Sequence, residues 1–519
     1  MFHAGDARSA AVRAFLSDPA THGLTKPVKV IETHAALVFL AGPRAYKIKK
    51  PVRFPFMDLS TLARREAACR HELEVNAAYA PALYQGVTAI TREPGGELAL
   101  GGKGPVVEWA VVMDRFDETA TLDRLAAAGP FADDVIDALG DALSHAHAAA
   151  PVREPLAWIA DLGCYIEQND AAFRGEPGLF PPDERIALTR EARAAFLRVR
   201  DLLAARGRLG RIRLLHGDCH LGNVALIDGK PVLFDAVEFD DAIATGDLLY
   251  DLAFLVMDLW SRGRKAEANR VFNRYLADTA TSEDLKGLAA LPLFLHVRAA
   301  IRSKIAAARA RAHSGAEAEA LRTESRDGFR QARRFLDPVT PRLLAIGGFS
   351  GTGKTTLARL LAPDRGRAPG ALILRSDVIR KRLAGVSPTT RLPESAYRRE
   401  SSAEVYERML SDAARALSAG HDVILDAVFA DPGEREAVEE LADRLEVPVA
   451  GLWLQAPTLM AAERVTTRVG DASDADASVV AFQAGLDPGQ VFWARVDARG
   501  APEVTARLAR ATLARRWLS

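Results

Sequence analysis

Gly348-Phe349-Ser350-Gly351-Thr352-Gly353-Lys354-Thr355 is the stretch of sequence that decides the fold of the carboxy-terminal part of this chain. The apolar run LLAI before it predicts a strand, and TLARLLA after it predicts a helix. Glycines at this spacing let backbone N–H groups wrap around phosphates, while the lysine reaches the terminal phosphates and the following hydroxyl binds Mg²⁺. We therefore predict a loop that binds ATP, rather than a plain glycine turn before a helix. The residues assigned to it are Gly348, Ser350, Gly351, Thr352, Gly353, Thr356, Lys354 as a catalytic residue and Thr355 as a ligand of Mg²⁺.

The length and charge of the chain predict several domains and no polyanionic partner. At 519 residues the chain exceeds the roughly 250 to 300 residues that one hydrophobic core supports. Lysine and arginine total 68, and aspartate and glutamate also total 68, so no overall field attracts nucleic acid or an anionic membrane. We expect neither as a partner.

The cysteines and the apolar runs favour a cytoplasmic location. Cys69, Cys164 and Cys219 are far apart and form no CxxC pair, which argues against a disulfide framework and a structural zinc site. The first residues, MFHAGDARSAAVRAFLSD, carry charges and lack the apolar segment of a secretory signal. No run approaches the ~18 apolar residues of a membrane span.

A change of pattern near residue 338 predicts the main domain boundary. A helical pattern rich in alanine and arginine ends at Asp337-Pro338. Beyond it, short apolar runs alternate with longer helical patterns, which is typical of βαβ units and a parallel sheet. These runs are 343–346, 371–374, 423–425 and 449–454. We predict an α/β domain over 338–519 that follows a first domain over 1–337.

The first domain is predicted to have a small sheet-rich lobe and a helical lobe. Two apolar runs joined at Gly42-Pro43 predict antiparallel strands, and Asp228-Gly229 predicts a later hairpin. Further patterns predict a strand at 28–42, a strand at 44–48, a helix at about 60–80, a strand at 106–113 and mostly helix from 122 onward. With lobes at about 1–113 and about 114–337, this α+β outline is that of a protein-kinase-like fold.

Ser376-Asp377-Val378-Ile379-Arg380 follows a predicted strand, where open α/β sheets place residues that contact ligands. Together with the glycine-rich octet, it resembles the P-loop small-molecule kinases that include polynucleotide kinase, zeta toxin and chloramphenicol phosphotransferase. The resemblance covers about residues 341–519. It implies that Asp377 is the general base for an acceptor hydroxyl and that Arg380 binds the substrate. The alternative is that Ser376 or Asp377 caps the helix that follows.

Other residues downstream complete the predicted ATP site. Asp426 ends a predicted strand and suits a Walker B carboxylate near Mg²⁺, although an aspartate there also caps loops. Arg464 and Arg468 lie one helical turn apart, so both can close on phosphates as a lid. The acidic run 471–476 fits either a lid tip or a surface loop, and the sequence leaves both open.

His216-Gly217-Asp218-Cys219-His220-Leu221-Gly222-Asn223, with Phe234-Asp235 after it, resembles the aminoglycoside phosphotransferase family of kinase-like enzymes. Phosphoryl transfer in this fold needs a carboxylate near the acceptor hydroxyl, together with an amide and a second carboxylate on Mg²⁺. The resemblance implies Asp218 as base and Asn223 and Asp235 as metal ligands. The alternative is a hairpin loop whose polar residues only satisfy one another.

The small lobe should supply a lysine for the nucleotide phosphates and a glutamate that orients it. Lys47 and Lys49 alternate on one strand and so project from one face, and Lys47 matches the family position better. Glu72 is the preferred glutamate and Glu66 the second choice. A later segment, Gly246 to Ala253, resembles the family's GDxxxDLA motif, in which Asp247 and Asp251 are expected to brace the catalytic loop. No glycine-rich phosphate loop is evident near Thr33 to Ala36, where one is expected.

These sites predict a bifunctional phosphotransferase, in which each domain transfers the γ-phosphate of MgATP to a hydroxyl group of a small molecule. Such transfers depend mainly on positioning and charge, so the motifs do not identify the acceptors. The missing glycine loop favours an alternative, a nucleotide-responsive regulator with one silent domain. A polynucleotide or nucleoside kinase is the least favoured reading, because the chain is neutral.

Overall fold

A computed structural model of the chain describes residues 5–33, 35–54, 57–279, 281–467 and 470–516. Within those ranges, no helix is long and apolar enough to cross a membrane. The chain divides into two compact units, one formed by residues 1–158 and 207–255 and the other by residues 159–206 and 256–519. Each unit contains one of the two predicted sites.

Up to residue 334 the chain forms twelve strands and twelve helices among the described residues. The strands are β1 (Lys29–Glu32), β2 (Ala36–Ala41), β3 (Arg44–Lys49), β4 (Arg53–Phe54), β5 (Met57–Asp58), β6 (Tyr84–Arg92), β7 (Leu98–Leu100), β8 (Val106–Asp114), β9 (Ile212–Leu214), β10 (Val224–Ile227), β11 (Lys230–Leu233) and β12 (Thr245–Asp247). The helices are α1 (Gly5–Ser17), α2 (Leu62–Asn76), α3 (Leu122–Ala128), α4 (Asp133–Ala149), α5 (Pro155–Arg174), α6 (Pro182–Arg208), α7 (Asp241–Ala244), α8 (Leu248–Ser261), α9 (Lys265–Thr279), α10 (Ser282–Gly287), α11 (Leu291–Arg311) and α12 (Gly315–Arg334).

The first unit is built on a six-stranded antiparallel sheet in the order β1-β2-β3-β8-β6-β7. Helix α2 packs against β8 and β6 through Cys69 and its neighbours, so one face of the sheet is covered. The predicted hairpin is β10 and β11, and its turn residues Asp228 and Gly229 both have positive φ, 50° and 76°. The sheet-rich lobe and the helices after it confirm the α+β, protein-kinase-like fold.

The predicted strand over residues 28–42 is interrupted. Thr33 and Ala36 exchange hydrogen bonds across a short turn, which separates β1 from β2. Both strands contribute to the core, where Leu37 and Phe39 pack beside Val12 and Leu16 of α1. The apolar run therefore predicted the strands but not the turn between them.

The last part of the second unit is an α/β P-loop fold. Its strands are β13 (Leu343–Gly347), β14 (Leu372–Arg375), β15 (Val423–Asp426), β16 (Val449–Gln455) and β17 (Ala494–Asp497). Its helices are α13 (Lys354–Leu361), α14 (Ser376–Leu383), α15 (Arg399–Ser418), α16 (Pro432–Leu445), α17 (Thr458–Thr466), α18 (Ala477–Ala484) and α19 (Pro502–Arg516). All five strands are parallel, in the order β14-β15-β13-β16-β17. Helices α13 and α19 cover one face through a core that includes Leu357, Ala358 and Leu513. This confirms the predicted parallel sheet.

Helix α9 covers the outer edge of this sheet. The backbone N–H of Ile373 in β14 donates to Asn273 Oδ1 over 2.7 Å. Asn269 Nδ2 donates to the carbonyl oxygens of Pro369 (3.1 Å) and Ala371 (3.0 Å). Residues 265–279 thus pack with the P-loop fold in the same unit. The boundary at 337/338, which remains a prediction, lies inside this unit.

Two candidate phosphotransfer sites

Strand β3 and helix α2 bring three of the predicted residues together in the first unit. Lys47 Nζ donates to Glu72 Oε1 over 2.7 Å and to Asp235 Oδ1 over 2.6 Å. Burial by itself lowers the pKa of Lys47, but the carboxylates of Asp235 and Glu72 raise it well above its usual value. Lys47 is therefore held as a cation. Glu66, the second choice, instead pairs with the exposed Arg70 on the surface of α2.

Lys49 lies on the same face as Lys47 but is enclosed by carboxylates. Its side chain is 3% exposed and its Nζ lies 2.7 Å from Glu72 Oε2. It also donates to Glu238, which the motifs did not single out. Glu72 is fully buried and bridges the two lysines. The contacts of Lys49 are thus those of a residue that holds Glu72 in place, and its nucleotide-binding role remains a prediction.

The loop of residues 216–223, which carries the predicted base, folds around Asp218. Asn223 Nδ2 donates to the backbone oxygen of Asp218 (3.0 Å) and to its Oδ2 (3.1 Å). Asp251 accepts the Gly217 N–H over 3.0 Å and lies 3.1 Å from His147 Nε2, so it braces this loop. Asp247 Oδ1 accepts the Leu249 N–H over 2.9 Å at the start of α8.

Asp235 sits in a left-handed backbone conformation, with φ of 59°. Its N–H donates to the Tyr84 hydroxyl over 3.1 Å, and the next N–H, of Ala236, donates to Asn76 Oδ1 over 3.0 Å. Burial raises the pKa of Asp235, but the charge and hydrogen bond of Lys47 lower it overall, which keeps the carboxyl ionised. Asn76 and Tyr84 were not predicted, because no local motif marks residues whose partners lie some 150 positions away.

The side-chain oxygen atoms in this site are of the kind that coordinate Mg²⁺. Asp218 and Asp235 offer carboxylates and Asn223 offers an amide oxygen, and oxygen ligands are those that Mg²⁺ prefers. Lys47, the lysine predicted to bind nucleotide phosphates, lies beside Asp235.

The glycine-rich octet forms the phosphate loop of the second unit. Gly348, Gly351 and Gly353 have φ of 136°, 78° and 94°, a region that favours glycine. A Cβ on Gly351 would lie 2.3 Å from the Ala461 carbonyl oxygen, so no side chain fits. Helix α13 begins at Lys354, within the octet, and the N–H groups of a helix start favour phosphate binding.

The side chains of the loop are ordered by local bonds. Lys354 Nζ and Thr352 Oγ1 both donate to the Phe349 carbonyl oxygen, over 3.0 and 2.8 Å. The Ser350 N–H donates to Gln483 Oε1 of α18 over 2.7 Å. The main chain of the loop is therefore fixed from two sides.

Thr355 and Asp426 form the oxygen pair expected for Mg²⁺. Thr355 Oγ1 donates to Asp426 Oδ2 over 2.6 Å at the end of β15. Arg375 Nε lies 3.4 Å from the same oxygen. Asp426 thus contacts both of these residues, and its role as a Walker B carboxylate remains a prediction. Its carboxylate and the threonine hydroxyl are ligands that fit Mg²⁺ with nucleotide.

Asp377 lies at the start of α14, beside the phosphate loop. The helix begins at Ser376, and its N-cap residue is Arg375, which makes no side-chain cap. The capping alternative for Ser376 or Asp377 is therefore wrong. Burial raises the pKa of Asp377, while Arg375, Ser473 and Lys354 lower it, which places the carboxyl among these groups.

The aspartates of the acidic run are paired with cations of their own unit. Asp471 accepts two bonds from Arg375 Nη2, over 2.9 and 3.1 Å. Asp474 pairs with Lys381 over 2.6 Å, and Asp476 pairs with Arg391 over 3.1 Å. We call residues 471–476 the acidic strap. The aspartates in the sequence predicted the negative charge of this segment but not the cations that pair with it.

Three arginines were also assigned to this site. Arg380 Nη1 donates to the Ala396 carbonyl oxygen over 2.6 Å, and its guanidinium carbon lies 4.7 Å from the centre of the Tyr397 ring. Arg464 Nη2 donates to the Ala498 carbonyl oxygen over 2.9 Å, and its Nη1 lies 3.9 Å from where a Cβ of Gly353 would be. Arg468 lies outside the described residues.

The comparisons with known proteins match the two parts of the chain to two different family models. A model of the phosphotransferase enzyme family matches residues 47–291, and a model described as AAA domain matches residues 343–486. The uncharacterized protein Rv2004c of Mycobacterium tuberculosis (strain ATCC 25618 / H37Rv) is 31% identical over 489 residues, which cover 92% of this chain and 93% of that protein. The uncharacterized protein Mb2027c of Mycobacterium bovis matches with the same identity and coverage.

Solved structures match each part separately. A choline/ethanolamine kinase family protein from Mesorhizobium loti is 15% identical and has a TM-score of 0.39, over 64% of this chain and 95% of that one. A gluconokinase from Sinorhizobium meliloti 1021 is 22% identical and has a TM-score of 0.24, over 34% of this chain and 93% of that one. The assignment rests on the family models and the full-length relatives. This chain belongs to the family of these mycobacterial proteins, with a domain of the phosphotransferase enzyme family followed by a P-loop domain.

Proposed function

We propose that the chain is a bifunctional ATP-dependent kinase, with one site in each unit that phosphorylates a hydroxyl group of a small molecule. One observation supports this proposal: each unit brings together, from distant segments, a lysine, carboxylates and other oxygen-bearing side chains that the proposed roles require. In the first unit Lys47 and Asp235 are 2.6 Å apart although 188 positions separate them. In the second, Thr355 and Asp426 are 2.6 Å apart across 71 positions.

In the first site, the chain supplies charge and orientation. Lys47, held by Glu72, would bind nucleotide phosphates, and Asn223 and Asp235 would hold Mg²⁺, which neutralises phosphate charge when bound. Asp218 would accept the proton of the acceptor hydroxyl as its oxygen bonds to the γ-phosphorus and the bond to ADP breaks. Because Asn223 donates to one oxygen of Asp218, the carboxyl is held in a fixed orientation.

In the second site, backbone N–H groups of the phosphate loop and Lys354 would bind the phosphates of ATP. Thr355 and Asp426 would hold Mg²⁺, and Asp377 would accept the acceptor proton. Arg464 lies near Gly353 and would contact phosphates there, with Arg468 as its proposed partner. The transfer balances in the same way, since ADP and a phosphomonoester are formed and one proton passes to the base.

Activity assays on single and double variants test the two sites together. The full chain is incubated with MgATP and a panel of alcohols, sugars, hydroxy acids and nucleosides, and phosphorylated products are identified by mass spectrometry. Lys354→Ala should remove one set of products and Asp218→Asn a different set, and the double variant should remove both. Each loss should be at least about 100-fold, the usual contribution of a positioned base or charge.

Two outcomes would contradict the proposal. If either single change abolished all products, the chain would have one active site and not two. If the parent chain formed no product with any acceptor, the regulator that binds nucleotide without turnover would replace the kinase.

A further inference from the structure

The cations around Asp377 differ in whether the chain itself neutralises them. The end of β14, helix α14 and the segment after it carry a cluster of cationic side chains close to the proposed base. Its members are Arg375, Arg380, Lys381, Arg382 and Arg391. In the second site, these are the cationic side chains available to bind an anionic acceptor.

Four of these cations are paired with aspartates. Arg375 binds Asp471 and Asp426, and Lys381, itself 1% exposed, binds Asp474 over 2.6 Å. Asp474 also accepts bonds from the Tyr397 hydroxyl and the Leu392 N–H. The two remaining pairs are Arg382 with Asp412 over 2.6 Å and Arg391 with Asp476 over 3.1 Å. A ligand phosphate would have to displace a carboxylate from each of these cations.

Arg380 is the exception. It is 8% exposed, and among the described residues no carboxylate lies within ion-pair distance of it. Its bonds go to the Ala396 carbonyl oxygen and, over 3.5 Å, to Ser402 Oγ, and its buried Nε has no partner. A buried guanidinium that lacks a counter-charge is costly, and a bound anion would compensate it.

Arg435 shows that the fold can satisfy a buried arginine when the role is structural. It is 5% exposed and also lacks a carboxylate, but it donates to four carbonyl oxygens, those of Phe429, Ala430, Pro488 and Gln490. Arg380 has one such bond. The two arginines are buried to a similar degree. They differ in how many guanidinium N–H groups are left to bind a ligand.

Arg380 and Asp377 lie three positions apart on α14, so they share one face of the helix. Both residues also lie near the same neighbour. In addition to burial, the charge of Asp377 raises the pKa of the Tyr397 hydroxyl, and the charge of Arg380 lowers it. We infer, on the basis of the function proposed above, that the acceptor of the second site is a small hydroxy acid. Its hydroxyl would lie at Asp377, and its one anionic group would bind Arg380.

The same pairing argues against a nucleic-acid strand as acceptor. A strand presents a series of phosphates, which are bound through several available cations. In this site the acidic strap already holds Arg375, Lys381 and Arg391. Arg398 and Arg399 follow Tyr397 but are exposed to water, where a cation needs no ligand.

Matched acceptors test the inference in the full chain that carries Asp218→Asn, so that turnover belongs to the second site. Glycerate and gluconate are compared with glycerol and glucitol, which differ from them by the carboxylate, and with an oligonucleotide that has a free 5′-hydroxyl. The acids should have a kcat/KM at least about tenfold higher, since hydrogen bonds to charged groups contribute about 1.5 to 3 kcal/mol. Arg380→Met should raise KM for the acids by about the same factor and so remove their advantage over the polyols.

Two further variants control for folding. Arg382→Met removes a cation two residues away that is paired with Asp412, and it should keep the preference for acids. Arg380→Lys should retain part of that preference because the charge remains. A urea unfolding midpoint equal to that of the parent chain would show that Arg380→Met is folded.

The outcomes separate the inference from the proposed function. Equal or better turnover of polyols, or phosphorylation of the oligonucleotide, would overturn the hydroxy acid and leave a P-loop kinase in place. No product from any acceptor, with Lys354→Ala indistinguishable from its parent, would refute the kinase function of this site and the inference with it.

Discussion

Arg375 is a single residue on which the charge state of the second site depends. Its guanidinium lies between Asp426 and Asp471, and its charge is the main one that opposes the effect of burial on Asp377. A base must be ionised to accept a proton. Because burial raises the pKa of Asp377 above that of an ordinary aspartate, activity of this site should fall at a higher pH than an exposed aspartate would allow.

Arg375→Gln should shift the acidic side of the pH profile, where activity falls, to a still higher pH. Removal of the positive charge raises the pKa of Asp377 again, so less of the base is ionised at a given mildly acidic pH. The measurement is the pH dependence of kcat/KM in the Asp218→Asn chain, with Arg382→Gln as the control. A fall at the same pH in both variants would show that Arg375 does not act through Asp377.

At the scale of the element, strand β3 explains how one glutamate serves two lysines. Alternate residues of a strand point to the same side, so Lys47 and Lys49 both face α2. Each takes one oxygen of Glu72, and both distances are 2.7 Å. Burial lowers the pKa of Lys49, but the carboxylates of Glu72 and Glu238 raise it overall, so it remains charged inside the unit.

Lys49→Met should therefore destabilise the first unit. The change leaves Glu238 and one oxygen of Glu72 without their buried cation, which costs about 3 to 5 kcal/mol. Adding Glu238→Gln should recover part of this loss. Urea unfolding of the full chain measures it, with Lys50→Met as the control, because Lys50 pairs with the half-exposed Glu32 and such a pair contributes about 1 kcal/mol or less. Equal losses in both variants would contradict the buried role.

Elements with strong local signals were predictable from sequence, and elements defined by distant contacts were not. The phosphate loop and the Asp228-Gly229 turn require glycine at positive φ, and that requirement is visible in the sequence. Strand β17 was missed because only Val496 of its four residues is buried, which leaves no apolar run. The same holds for the sites: Lys47, Asp235 and Asp426 follow from motifs, whereas Glu238 and the partners of the acidic strap depend on tertiary packing.

At the scale of the whole molecule, the packing of α9 on β14 joins helices from before residue 338 to the P-loop fold. Asn273 and Asn269 satisfy groups at the edge of the sheet that would otherwise be open. Phe272 of the same helix stacks on the buried His421, at 5.7 Å between ring centres. The boundary that the sequence pattern predicts therefore lies within one compact unit.

A fragment of residues 338–519 should be less stable than the same residues in the full chain. It would lack the asparagine side chains, and a sheet edge with unpaired N–H and carbonyl groups is prone to associate. We expect a lower urea midpoint and concentration-dependent association, measured by tryptophan fluorescence and size-exclusion chromatography. Asn269→Ala with Asn273→Ala in the full chain should reproduce part of the loss. A monomeric fragment with an unchanged midpoint would show that residues 338–519 fold independently.

The asparagines of α9 also have a consequence for synthesis on the ribosome. Residues 265–279 leave the ribosome about a hundred residues before β14, and nascent chains fold from their amino-terminal side. The helix that covers the sheet edge is thus made before the edge exists. Each new copy can shield this strand from neighbouring nascent chains as soon as it forms, so damage to α9 should appear first as insoluble protein during expression.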